Sequence, residues 1–138
     1  MRVILASSRS TKLAPDENFT GTVLQDEIVT GAPPSRLRGL SVSFSPGAEQ
    51  PGIPMPSARH STSSTGRDAC RWKAPNRSQL TPGDTVLIPP NVKHWHGAAP
   101  DRLFIHLAFQ EVTDQGAGTK WLEKVNDADY QAPTVDPD

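Results

Sequence analysis

Residues 82–97 read PGDTVLIPPNVKHWHG. Pro82 presets φ and Gly83 accepts a positive φ, so Pro-Gly-Asp turns the chain into the β-branched, apolar run 85–88. Pro89 and Pro90 carry no backbone donor and end that strand. Asn91, a residue at home in the left-handed region, then reverses the chain just before Lys93-His94-Trp95-His96. Histidines two apart on a strand share one face, and Trp95 takes the other.

Outward from this stretch the pattern stays that of short strands. Leu40, Val42 and Phe44 alternate with Ser41, Ser43 and Ser45 until Pro46-Gly47 stops them, a half-buried strand of period two. Residues 102–112 read as another, with Ile105, Leu107 and Phe109 on one face and His106, Ala108 and Gln110 on the other. Residues 19–24 alternate enough for a first strand, and 30–35 form a Pro- and Gly-containing loop. Fourteen prolines and ten glycines in 138 residues, with little that reads as long helix, make the fold all-β. A short helix is expected over 120–125, after a loop at 115–119. One domain over 19–130 is expected, behind an irregular arm at 1–18 and ahead of a Pro- and Asp-rich tail, 131–138, that frays.

A net charge of −1 with scattered Lys and Arg argues against nucleic acid or an anionic membrane as the main partner. Cys70 is the one cysteine, so no intramolecular disulfide forms and the expected compartment is the reducing cytoplasm. Near the N-terminus only residues 3–6 form an apolar run, too short for a signal-peptide core or a membrane span. No phosphate-binding glycine loop and no Ser-His-Asp order is present.

The central stretch resembles the second motif of the cupin superfamily, G-x5-P-x-G-x2-H-x3-N. Gly83, Pro89 and His94 match in register, Asn91 stands at the motif's second glycine and Ala98 at its asparagine. The wider strings FTGT (19–22), SVSFSPGA (41–48), KHWHGAAPDRLFIHLAFQE (93–111) and WLEKVNDADY (121–130) are similar to small single-domain cupins that include the bacterial manganese-dependent hydroxynitrile lyases. The resemblance implies a jelly-roll β-barrel with a short C-terminal helix, and a homo-oligomer, dimer or tetramer. It also implies a divalent metal (Mn, Fe, Ni, Cu or Zn) held by three histidines and a carboxamide, and a small organic substrate. The activity implied is cyanohydrin-like carbon–carbon cleavage by a lyase, or oxygenation. A non-catalytic binding or regulatory cupin, or an inactive relative, stands as the alternative.

Residues 51–78, PGIPMPSARHSTSSTGRDACRWKAPNRS, break the likeness, being rich in Ser, Thr, Pro and Arg without alternation. The cupin first motif, G-x5-H-x-H-x3,4-E-x6-G with glutamine for glutamate in the lyase-like group, belongs here and supplies the other ligands. Codon by codon, a one-base shift from Pro51 to Ser61 permits Trp-His-x-His-Ala-Leu-Gly-Gln-Thr-Leu. Later pairs, up to Trp72 and Lys73, permit a β-rich run and then Gly-x-Gly-Arg-Val. Two compensating base changes near codons 51 and 78 explain the window; a genuine polar insertion is the competing account. Resequencing the coding DNA for residues 45–82 separates them, and under either account the chain as written lacks those ligands.

By resemblance His94 is the metal ligand; its plainer reading is a hydrogen-bonded strand histidine. His96 and His106 are the candidate catalytic residues, since a neutral imidazole passes a proton either way near pH 7. Their plainer readings are a barrel-mouth histidine and a satisfied core histidine. His60 lacks the spacing of a site, Cys70 lacks an activating setting, and Trp95 and Trp121 read as packing residues.

Overall fold

The computed structural model describes residues 1–52, 59–66, 68–71, 77–113 and 122–135. The chain runs through β1 (Thr11–Leu13), β2 (Val23–Thr30), β3 (Leu37–Phe44), β4 (Arg59–Gly66), β5 (Asp68–Arg71), β6 (Arg77–Leu80), β7 (Thr85–Ile88), β8 (Trp95–Ala98) and β9 (Phe104–Glu111). Helix α1 (Asp127–Tyr130) and β10 (Thr134–Val135) close it. One sheet is ordered β1-β2-β3-β9-β4-β7 and the other β10-β6-β5-β8. The pairings are antiparallel apart from β10 on β6. This is the expected all-β jelly roll.

Alternation decides which side chains face inward. On β3, Val42 and Phe44 are buried while Ser41 and Ser43 are half-exposed. On β9, Phe104, His106, Ala108 and Gln110 are buried while Ile105, Leu107 and Phe109 are half-buried. Phe44, Val42 and Phe104 from the larger sheet meet Ala98 from the smaller one in a single apolar cluster, joined by Phe19, Val23 and Ala48. Leu80, Val86 and Ile88 make a second cluster. Burying side chains of this size contributes about 1.5–3 kcal/mol each.

The turns of the central stretch form as their chemistry dictates. Gly83 has φ +99° and Asn91 φ +62°. Asp84 holds the first turn, its Oδ2 accepting from Thr81 N–H (2.7 Å) and Thr81 Oγ1 (3.0 Å).

Several local expectations shift. The C-terminal helix is Asp127–Tyr130 rather than 120–125, because Asn126 caps it by accepting from Asp129 N–H and two aspartates occupy its first turn. Leu122 instead bonds Gly52, its N–H donating to the Gly52 carbonyl. The loop at 115–119 and Trp121 lie outside the described residues. The strand expected over 19–24 begins only at Val23, as β2, and Thr20 contributes one bridge to Glu49. Within the window 51–78 the structure sets β4 between β9 and β7 and pairs β5 with β8. Ladder bonds need only backbone donors and acceptors, and Ser and Thr fit an extended chain without an apolar period. In the arm 1–18, Thr11–Leu13 pairs with β2, and in the tail Thr134–Val135 pairs with β6.

Candidate functional site

His94 closes the turn after Asn91, and His96 lies two residues on, in β8. Both point into the barrel, and both are buried. Trp95 takes the opposite side, where its ring lies 6.1 Å from that of Tyr130. His106 enters from β9, also buried. The three imidazoles form a row of edge-to-face contacts, His94 to His96 at 5.3 Å and His96 to His106 at 4.9 Å between ring centres. Phe104 (5.1 Å) and Phe44 (5.6 Å) pack against His106. The structure therefore brings together all three histidines singled out from the sequence.

The tautomer of His94 follows from its partner. Nδ1 lies 2.9 Å from the Val92 carbonyl oxygen, which only accepts, so Nδ1 carries the proton and Nε2 the lone pair. Glu49, Gln50 and Gln110 are the further buried polar side chains near this row. Gln50 N–H donates to the His96 carbonyl at 2.9 Å, and its buried Nε2 has no hydrogen-bond partner among the described residues. Sequence reading placed Gln110 on the His106 face without giving it a role. It missed Glu49 and Gln50, whose only signal is their position just after the Pro46-Gly47-Ala48 turn.

Directly opposed residues of antiparallel strands share a face. In register across the larger sheet lie Gln25, Val42, His106 and Ser63, then Glu27, Leu40, Ala108 and Ser61, then Arg38, Gln110 and Arg59. His60 falls in the alternate rows, in register with Phe109 and the exposed Leu87. Cys70 is in register with His96.

These positions test the implied metal centre. Such a centre needs at least three ligands converging at about 2.0–2.2 Å. His94 is in place, but the residues after Gln50 run Pro-Gly-Ile-Pro-Met, and the β4 residues in register with Gln110, Ala108 and His106 are Arg59, Ser61 and Ser63. Among the described residues no three His, Cys, Asp or Glu side chains converge as metal donors. The donor set does not fit a three-histidine, one-carboxamide centre.

Two packed antiparallel sheets enclosing inward-facing histidines define a cupin barrel. No family model matches the chain. It is 34% identical over 131 residues to an (R)-mandelonitrile lyase from Granulicella tundricola, a match covering 95% of this chain and 99% of the relative. The chain belongs to the family of small single-domain cupins that this lyase represents. Among solved structures it is similar to a cupin-like protein from Thermotoga maritima, with a TM-score of 0.80, 29% identity, and 86% and 90% of the two chains covered. A polyketide cyclase from Streptomyces resistomycificus shares the fold, with a TM-score of 0.74 at 12% identity over 95% and 91% of the two chains. Among the described residues no helix is long and apolar enough to cross a membrane.

Proposed function

We propose that the barrel interior binds a small organic molecule and cleaves it as a lyase, the substrate being a cyanohydrin-like hydroxynitrile. The observation that carries this reading is the buried row of His94, His96 and His106, next to the 34% identity to a mandelonitrile lyase. His106 accepts the substrate's hydroxyl proton. The O–H electron pair becomes the carbonyl π bond, the carbon–carbon bond breaks, and its pair leaves on cyanide. A proton from His96 completes hydrogen cyanide, and the pair of imidazoles returns to its starting state by passing the proton along the row. Phe44 and Phe104 keep this side of His106 dry, which strengthens each polar contact in the interior. No step is drawn through a metal, because the donors present do not fit one.

A specific observation favours a second reading, a cupin that binds without turnover. Counted from Gly47, Ile53, Met55 and Arg59 stand where the first motif of the family resemblance calls for two histidines and a carboxamide. Incubating the full chain with racemic mandelonitrile and following benzaldehyde release decides between them. Release that is abolished by His106→Ala and by His96→Ala supports the lyase. Saturable binding of mandelonitrile without aldehyde selects the binding module, and neither result from a folded chain removes both.

A further inference from the structure

The inner face of the larger sheet does not end at the histidines. Its rows continue from His106 through Val42 to Gln25, and from Gln110 to Arg38. Lys12 on β1 sits in register with Gln25 and extends the same face. There the N-terminal arm covers the sheet and leaves a groove of about 520 Å³, within the range of small-molecule sites. Arg2, Arg9, Lys12 and Arg38 line it, against the single carboxylate of Glu27. None of the four cationic groups makes an ion pair among the described residues. Like charges gathered in a concave site with low-dielectric walls raise the local potential and concentrate anions there.

We propose that this groove is a binding site for a small organic carboxylate. Arg38 lines it from β3, half-buried and in register with Gln110, and its guanidinium fork matches the two oxygens of a carboxylate. Lys12 supplies a second positive charge from the rim, and Leu40 and Ile4 offer an apolar surface to the ligand's hydrocarbon part. An acid with a compact apolar body satisfies both halves of the lining. A bare inorganic anion uses only the charges, and a neutral analogue only the apolar surface. The site is distinct from the proposed lyase chemistry, whose substrate is neutral, and it stands whether or not mandelonitrile is cleaved.

Titration of the full chain by calorimetry with benzoate, benzamide and inorganic phosphate tests it. Benzoate is expected to bind saturably and to weaken as ionic strength rises, with benzamide and phosphate at least about tenfold weaker, the scale of a lost charge-assisted hydrogen bond. Arg38→Gln and Lys12→Gln are each expected to weaken benzoate by about tenfold. Lys12 is exposed, so its variant keeps the fold and the test holds even where Arg38→Gln does not fold. Benzamide or phosphate binding as tightly as benzoate overturns the proposal, and so does a benzoate affinity that ignores both substitutions.

Discussion

His94 shows how one backbone contact sets the chemistry of a side chain. The Val92 carbonyl fixes its proton on Nδ1, so in the neutral ring the lone pair is on Nε2. His106 is held differently, by the rings of Phe44 and Phe104, so its role in packing and its role in proton transfer are entangled. His106→Ala removes a fully buried ring and is expected to destabilise the fold by about 2–4 kcal/mol. The same change is expected to reduce cyanohydrin cleavage by about 10²–10⁴-fold, the usual contribution of a general base. His106→Gln separates the two effects, because it refills much of the space without restoring the base. Urea melts that recover alongside activity that does not are the expected outcome; recovery of both shows that the ring only packs. At the opposite side of β8, Tyr130 Oη donates to the Ala98 carbonyl at 2.7 Å. Tyr130→Phe is expected to cost about 1 kcal/mol in the same melts, and an unchanged midpoint removes that bond from the account of stability.

At the scale of elements, the turn from 81 to 84 and the segment β4 behave in opposite ways. The turn is specified by its own residues, so Asp84→Ala, which removes both side-chain bonds to Thr81, is expected to lower stability by about 1–2 kcal/mol in a thermal melt. Strand β4 is specified by its neighbours, since its ladder partners on β9 and β7 hold a Ser- and Thr-rich chain extended. The consequence lies in metal content. The chain as written is expected to purify with far less than one equivalent of divalent metal by elemental analysis. A chain whose residues 51–78 are replaced by the one-base-shifted reading is expected to take up close to one. Stoichiometric metal in the unaltered chain contradicts the donor test. This contrast also explains what was legible in the sequence. Strands β3, β7 and β9 announced themselves because each has an apolar face, and Gly83 and Asn91 announced their turns through the conformations they tolerate. The inward convergence of His94, His96 and His106 followed from period two together with the resemblance. Strands β4 and β5 gave no signal, because their positions come from long-range pairing. The grooved edge lined by Arg2, Arg9, Lys12 and Arg38 was illegible for the same reason, as it gathers residues from three separate segments.

For the whole molecule, the segment 122–124 acts as a clasp that ties together Gly52, Asp16 and Lys93. Leu122 and Glu123 exchange backbone hydrogen bonds with Gly52, and Lys124 Nζ donates to the Asp16 carbonyl at 2.8 Å. Lys93 pairs with Glu123 beside them. Hydrogen bonding from Lys93 comes first among the causes that hold the Glu123 carboxyl below its ordinary 4.5, followed by its backbone hydrogen bond and then by the Lys93 charge. A carboxyl depressed in the folded state contributes stability that is present above its unfolded value and is lost as pH falls through its folded value. The clasp is therefore expected to loosen on the acid side of about pH 4.5. Because the group is fully exposed, salt weakens the pair as well. Glu123→Gln removes the titrating group without removing the backbone bonds. Amide exchange at Leu122, followed from neutral pH into the acid range at low salt, is expected to rise in the parent chain beyond the intrinsic pH trend and to follow that trend alone in the variant. Identical profiles for the two chains place the clasp's strength in its backbone bonds, with the ion pair adding nothing.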